Sequence, residues 1–263
     1  EEGKPNKINR QTVTEEPLDL SDFWVECFSH WKWFAVSIVL LVVVTGLYCF
    51  KQTPEYEVSS AVYIQDNDSE NSNILLTSLG LSPYKNNIDN EIEVFRSKNQ
   101  ITAAVEALGL YKTYAWKSFM KRTPLYGNSP VELVTDSINP RKIEYPLHIE
   151  LSPCQGKLHI KAETYDKKDN KVEICNELID GLPHTLPFEG SFVQLKYTGD
   201  TIPTLEKTLD IWLSNPRAVS KDLDSKLAVV FASRKATILN VTYRTPVIEE
   251  GKDFIQTLVD FYN

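Results

Sequence analysis

The chain has 263 residues, with 28 Lys or Arg against 36 Asp or Glu, for a net charge of −8. At 42% apolar and 24% charged residues it has a globular composition, not a disordered one. Its 10 glycines and 14 prolines follow no period, which excludes collagen-like and solenoid chains. The acidic balance without a Lys/Arg stripe excludes nucleic acid as an expected partner.

Residues 1–18 are polar and aperiodic and read as a mobile tail. Leu20, Phe23, Trp24, Cys27, Phe28 and Trp31 then recur at helical spacing behind Ser21, which predicts an interfacial helix. From Phe34 through Leu40 and Val44 to Phe50 the chain carries no charge over 17 positions. At about 1.5 Å per residue such a helix is long enough to contact membrane lipid across the bilayer core. Trp31 and Trp33 at one end and Tyr48 and Phe50 at the other suit the two interfaces. A cleaved signal is disfavoured, because residues 1–33 carry four basic against seven acidic side chains. Lys4, Lys7, Arg10 and Lys32 lean toward a cytoplasmic N-terminus, although charge alone does not decide it.

Beyond Pro54, residues 57–65 read as a strand and 66–73 as a polar loop. Ile88, Ile92, Phe95, Ile101, Val105 and Leu108 give residues 87–110 a helical period. Ser97-Lys98-Asn99-Gln100 has the form of a capping box and predicts a break there, with Gly109 as the stop. Residues 112–123 read as a strand. Residues 124–200 alternate in short runs (131–136, 145–152, 157–166, 191–197) between turns such as Gln155-Gly156 and Asp169-Asn170, predicting an inserted all-β module. A strand over 208–213 follows, then a helix opened by Asn215-Pro216 and a hairpin of 227–232 with 236–244. A last helix opens after Thr245-Pro246, with Val247, Ile248, Gly251, Phe254, Ile255, Leu258 and Phe261 on one face. It meets no stop signal before Asn263, and with no initiator Met the sequence reads as part of a longer chain. The fold class is α+β. Its parts are a tail and interfacial helix (1–33), a span (34–50), a base domain in two pieces (51–123 and 201–263) and the inserted module (124–200).

No phosphate loop, HExxH, CxxC or GxSxG occurs, so no catalytic residue, cofactor or metal is assigned. His148, Cys154 and His159 fall on adjacent predicted strands without a fourth ligand. His30 and His184 read as isolated surface residues. Cys154 and Cys175 would close a modest loop as a disulfide in an oxidising compartment, or stand as two separate buried thiols. Asp66-Asn67-Asp68 is a DxD triplet, as is Asp222-Leu223-Asp224, and admits a glycosyltransferase of type II membrane topology as an alternative. Tyr111, Tyr114, Trp116, Phe119, Tyr126 and Trp212 suit sugar stacking or plain core packing. Asp89, Glu91 and Glu93 read as a solvated or subunit-facing stripe with Arg96 as local partner.

The run Thr53-Pro54-Glu55-Tyr56-Glu57-Val58-Ser59 after the span is followed by Asn90-Glu91-Ile92-Glu93-Val94-Phe95-Arg96-Ser97 and by Leu108-Gly109-Leu110. In this order they resemble the polysaccharide co-polymerase, or chain-length determinant, family, and most of all the membrane-anchored half of its bacterial tyrosine autokinases. Asn240-Val241-Thr242-Tyr243-Arg244 and the helix after it are similar to the strand and helix that lead into the family's long periplasmic helix. The likeness covers residues 18–122 and 205–263, with Pro54, Tyr56, Asn90, Glu91, Ile92, Arg96 and Ser97 as its motif residues. It implies an inner-membrane protein with a cytoplasmic N-terminus and a periplasmic bulk. It further implies a homo-oligomeric ring acting with polysaccharide polymerase and export machinery on capsular, exopolysaccharide or O-antigen chains, the polysaccharide itself being a candidate partner. A periplasmic sensor or anti-sigma ectodomain is the other alternative, against which stands a tail of only 33 residues.

Overall fold

The computed structural model describes residues 30–63, 92–119, 121–199, 205–232 and 238–262. Residues 1–51 and 52–263 form separate units. In the first, helix α1 (Trp31–Lys51) has no buried residue. Phe34, Leu40, Val44 and Phe50 are each more than half exposed. The helix begins three residues before the expected span and is long and apolar enough to cross a membrane. The expected interfacial helix falls, but for its last residues, outside the described residues.

The second unit is α+β. In chain order it runs β1 (Tyr56–Tyr63), a helical turn over 92–95, α2 (Lys98–Ala107), β2 (Lys112–Lys117), β3 (Arg122–Leu125), β4 (Val131–Val134), a 3₁₀ turn (Pro140–Lys142), β5 (Leu147–Cys154), β6 (Lys157–Tyr165), β7 (Lys171–Ile179), β8 (His184–Phe188), β9 (Ser191–Tyr197), β10 (Thr208–Leu213), α3 (Pro216–Lys226), β11 (Leu227–Phe231), β12 (Ile238–Thr245) and α4 (Ile248–Tyr262).

Two cores organise these elements. In the base, an antiparallel sheet of order β1-β12-β11 packs α2, α3 and α4 over Val62, Val229, Leu239, Val241 and Tyr243. Phe95, Ile101, Val105, Phe254, Ile255 and Leu258 fill the helix side of that core. Ser97 caps α2 as its sequence predicts, its hydroxyl accepting from the Gln100 N–H at 3.3 Å. Gly109 follows at φ +65°, the left-handed conformation that ends a helix. On α4 the expected apolar face is narrower than read: Gly251, Phe254, Ile255 and Leu258 are buried, whereas Ile248 and Phe261 are exposed.

The second core lies in a sandwich. A six-stranded sheet of order β3-β2-β10-β5-β6-β7 faces a three-stranded sheet of order β4-β9-β8. Leu147, Ile149, Leu151, Ile160, Leu209 and Ile211 meet Leu133, Leu186, Val193 and Leu195 between them. The β5–β6 turn has Gln155 at φ 49° and Gly156 at φ 82°, the paired positive values of a two-residue hairpin. The expected module of 124–200 draws in strands from beyond both limits, since β2 and β10 sit at the heart of its large sheet. The expected strand over 112–123 is folded back at Ser118–Lys121 into β2 and β3. The sandwich begins and ends at one place, where the Ser214 N–H donates to the Tyr111 carbonyl at 2.9 Å.

Candidate functional site

The family-like residues hold the base together. Pro54 lies in the coil before β1, and Tyr56 opens β1 opposite Thr245. Ile92 packs, half-buried, against the base core. Arg96 Nη2 and Nε reach Asp224 Oδ1 on α3 at 2.9 and 3.3 Å, while Asp89 and Glu91 of its expected acidic stripe lie outside the described residues. Asp222 in turn takes Lys226 at 3.0 Å. The second DxD triplet is thus helical, with both carboxylates engaged and Leu223 buried between them. Asn90, Glu91, Asp66 and Asp68 lie outside the described residues.

Further pins join base and sandwich. Arg141 grips Glu106 at 2.6 and 2.7 Å, and this hydrogen bond holds the Glu106 carboxyl below the usual carboxylate range. Asn215 accepts from the Arg217 N–H and donates to the carbonyls of Arg141 and Ile143. The Tyr126 hydroxyl donates to Asp253 on α4 at 2.8 Å. Within the base, burial pushes the Glu250 carboxyl up, against the hydroxyls of Thr245 and Tyr243 that lower it.

The outward face of the six-stranded sheet is polar. Across β10 and β5, Asp210 stands opposite Glu150 and Trp212 opposite His148. His148 stacks on Trp212 at 4.0 Å between ring centroids. Asp210 is fully buried, with Arg122 Nε 3.0 Å from Oδ2 and His148 Nε2 3.5 Å from Oδ1. Glu150 pairs with Lys117, and Glu163 with Lys161. His148, Cys154 and His159 are not brought together: His159 sits opposite Ser152 and bonds Asn176 at 2.9 Å. His184 is not isolated, since it lies 3.2 Å from Glu177, which also accepts from Cys175.

Cys154 and Cys175 are both free. Cys154 faces Lys157 on β6, whereas Cys175 lies beyond β6 opposite Ala162. Two strand spacings and five residues of offset place them on the order of 19 Å apart, against a disulfide reach of about 7 Å. The aromatic residues divide. Tyr114 and Trp116 pack on the sandwich core, Trp212 stacks on His148, and Phe119 is fully exposed. Tyr111 lines an open cleft of about 420 Å³ with Glu106 and Arg141. A second cleft of about 410 Å³, beside Tyr145 and Tyr165, had no sequence signal beyond its tyrosines.

Residues 16–108 match the family model described as chain length determinant protein. Over 104 residues the chain is 25% identical to a tyrosine-protein kinase ptk of Acinetobacter johnsonii, a match covering 39% of this chain and 14% of that relative. The chain is thus similar, over residues 16–108, to the chain length determinant family, a stretch that takes in α1, β1 and α2, and it spans a small part of the length of the kinase that it resembles. The family match stops four residues short of β2, so the sandwich lies beyond it.

Proposed function

We propose that this protein regulates polysaccharide chain length from the inner membrane, as a non-catalytic periplasmic scaffold whose copies pack side by side. The observation that carries the reading is the extent of the family match, which takes in the membrane-length helix, the edge strand β1 and the capped helix α2. A scaffold asks for rigidity, and the motif residues supply it: Arg96 ties the segment before α2 to α3, and Ser97 caps α2. Among the described residues β1 pairs with β12 alone, and that free edge and the helix faces would serve as subunit contacts. The sandwich is an addition to this base, facing a partner or polymer that simpler members do not meet.

The test is replacement of the chain-length determinant in a bacterium that makes a length-regulated surface polysaccharide, followed by gel analysis of polymer length. A shifted modal length is expected, with cross-linking in intact cells giving a ladder of oligomers. An unregulated length distribution together with an uncross-linked single chain would refute the proposal.

A further inference from the structure

We propose that His148, Glu150 and Asp210 form a binding site for one divalent transition metal ion, with Zn²⁺ the ion their donors suit best. The site is independent of the chain-length reading, because it is built entirely in the sandwich.

Register creates it. His148 and Glu150 are two apart on β5 and share a face, and Asp210 is the direct cross-strand neighbour of Glu150. One donor atom from each lies within 4.8 Å of the others. The His148 Nε2 to Asp210 Oδ1 distance is 3.5 Å and that to Glu150 Oε1 is 3.9 Å. Donors about 2.0–2.1 Å from a tetrahedral ion stand about 3.3 Å apart, so small side-chain adjustments suffice. The same separations are too long for hydrogen bonds.

Burial supplies the second argument. His148 is 5% exposed and Asp210 0%. Neither His148 Nε2 nor Asp210 Oδ1 makes a hydrogen bond, and Asp210 Oδ2 meets the Arg122 guanidinium as an ion pair; buried polar atoms ordinarily find a hydrogen-bond partner. Trp212 stacks on the imidazole and restricts its rotation. One imidazole and two carboxylates leave a fourth position for water, a donor set suited to Zn²⁺.

The nearby cations do not close the site. Arg122 approaches Asp210 through Oδ2, leaving Oδ1 toward His148, and its side chain is 55% exposed. Lys117, 37% exposed, holds Glu150 Oε1 and must slide to the second oxygen. Lys161 is already taken by Glu163.

The experiment uses the full chain in detergent, without a histidine tag, stripped by chelator and titrated with ZnCl₂ against a chromophoric competitor. One ion per chain at low-micromolar affinity or tighter is expected. His148→Ala and Asp210→Asn should each weaken binding about tenfold or more, and X-ray absorption should show nitrogen and oxygen donors without sulfur. If Asp210→Asn fails to fold, Glu150→Gln takes its place. His184→Ala, at the Cys175–Glu177 cluster, should leave stoichiometry unchanged. Absence of Zn²⁺ binding overturns the proposal, as does a sulfur donor, or binding that survives His148→Ala and is lost with His184→Ala.

Discussion

Replacing Gly251 with Ala tests how closely α4 is seated on the base sheet. A Cβ there would stand 2.8 Å from Thr245 Cγ2 and 2.8 Å from Val58 Cγ2, about 0.7 Å inside normal contact. Neither neighbour yields easily. Val58 is β-branched on a paired strand. Thr245 is 1% exposed, and its hydroxyl both donates to Glu250 and accepts from the Val247 N–H. Overpacking of this kind costs about 2 kcal/mol, and the better helix propensity of Ala returns about 1 kcal/mol.

The net expectation is a loss of about 1 kcal/mol for Gly251→Ala and roughly 3 kcal/mol for Gly251→Val. Urea denaturation of residues 52–263, one compact unit, would read it. Val58→Ala removes one of the two clashing methyls, so in the double variant the two losses should fall short of their sum by about 1 kcal/mol. A Gly251→Ala protein more stable than the parent would refute the close seating, because helix propensity would then be acting alone. Strict additivity with Val58→Ala would refute it equally.

Ser97→Ala removes the cap of α2 and should cost about 1 kcal/mol, with amide exchange quickening first in the opening turn of α2. Asn215→Ala loses a cap and two donors to carbonyls of the sandwich, so about 2 kcal/mol is expected in the same urea assay. Glu106 and Glu250 should give opposite pH profiles. Glu106, lowered by Arg141, stabilises the fold above the ordinary carboxylate pKa, and this is lost as pH falls through its depressed folded value. The deficit of Glu106→Gln should therefore vanish in acid. Glu250, raised by burial, favours the fold while protonated, and that contribution is lost as pH rises through its folded value. Glu250→Gln should thus gain on the parent toward neutral pH, and a gain confined to acid would contradict the assigned cause.

Much of the base was legible because its signals are local. Ser97, Gly109 and Asn215-Pro216 each fix a helix end through their own backbone and side-chain chemistry. The sandwich was legible where strands alternate, and less so at its rims. β7 is an edge strand with a bulge opposite Ala162–Glu163, so its exposed side chains do not alternate cleanly. β8 is the rim of the smaller sheet and carries Pro187, which argues against a strand unless the strand is an edge. The His148 cluster could not be seen at all without the β10–β5 register. Its one trace in sequence is Asp210, a carboxylate in the middle of the otherwise apolar run Leu209-Asp210-Ile211-Trp212-Leu213.

The separation of the two cores explains how a base with a family-like start can carry so large an insertion. The chain leaves the base after Leu110 and returns at Ser214, and the Tyr111–Ser214 hydrogen bond brings those ends together. An insertion whose ends meet closes no new loop in the base, so its ordering cost falls on its own core. That core is sufficient, with Leu147, Ile149, Leu151, Ile160, Leu209 and Ile211 all but fully buried. Among the described residues Tyr111 packs against both cores, and the Glu106–Arg141 pair and Asn215 bond across beside it. Substitutions deep in the sandwich should consequently leave the α2–α3–α4 packing intact, and those around Tyr111 should loosen both parts together. The same geometry lets the sandwich change in sequence while the base keeps its own packing.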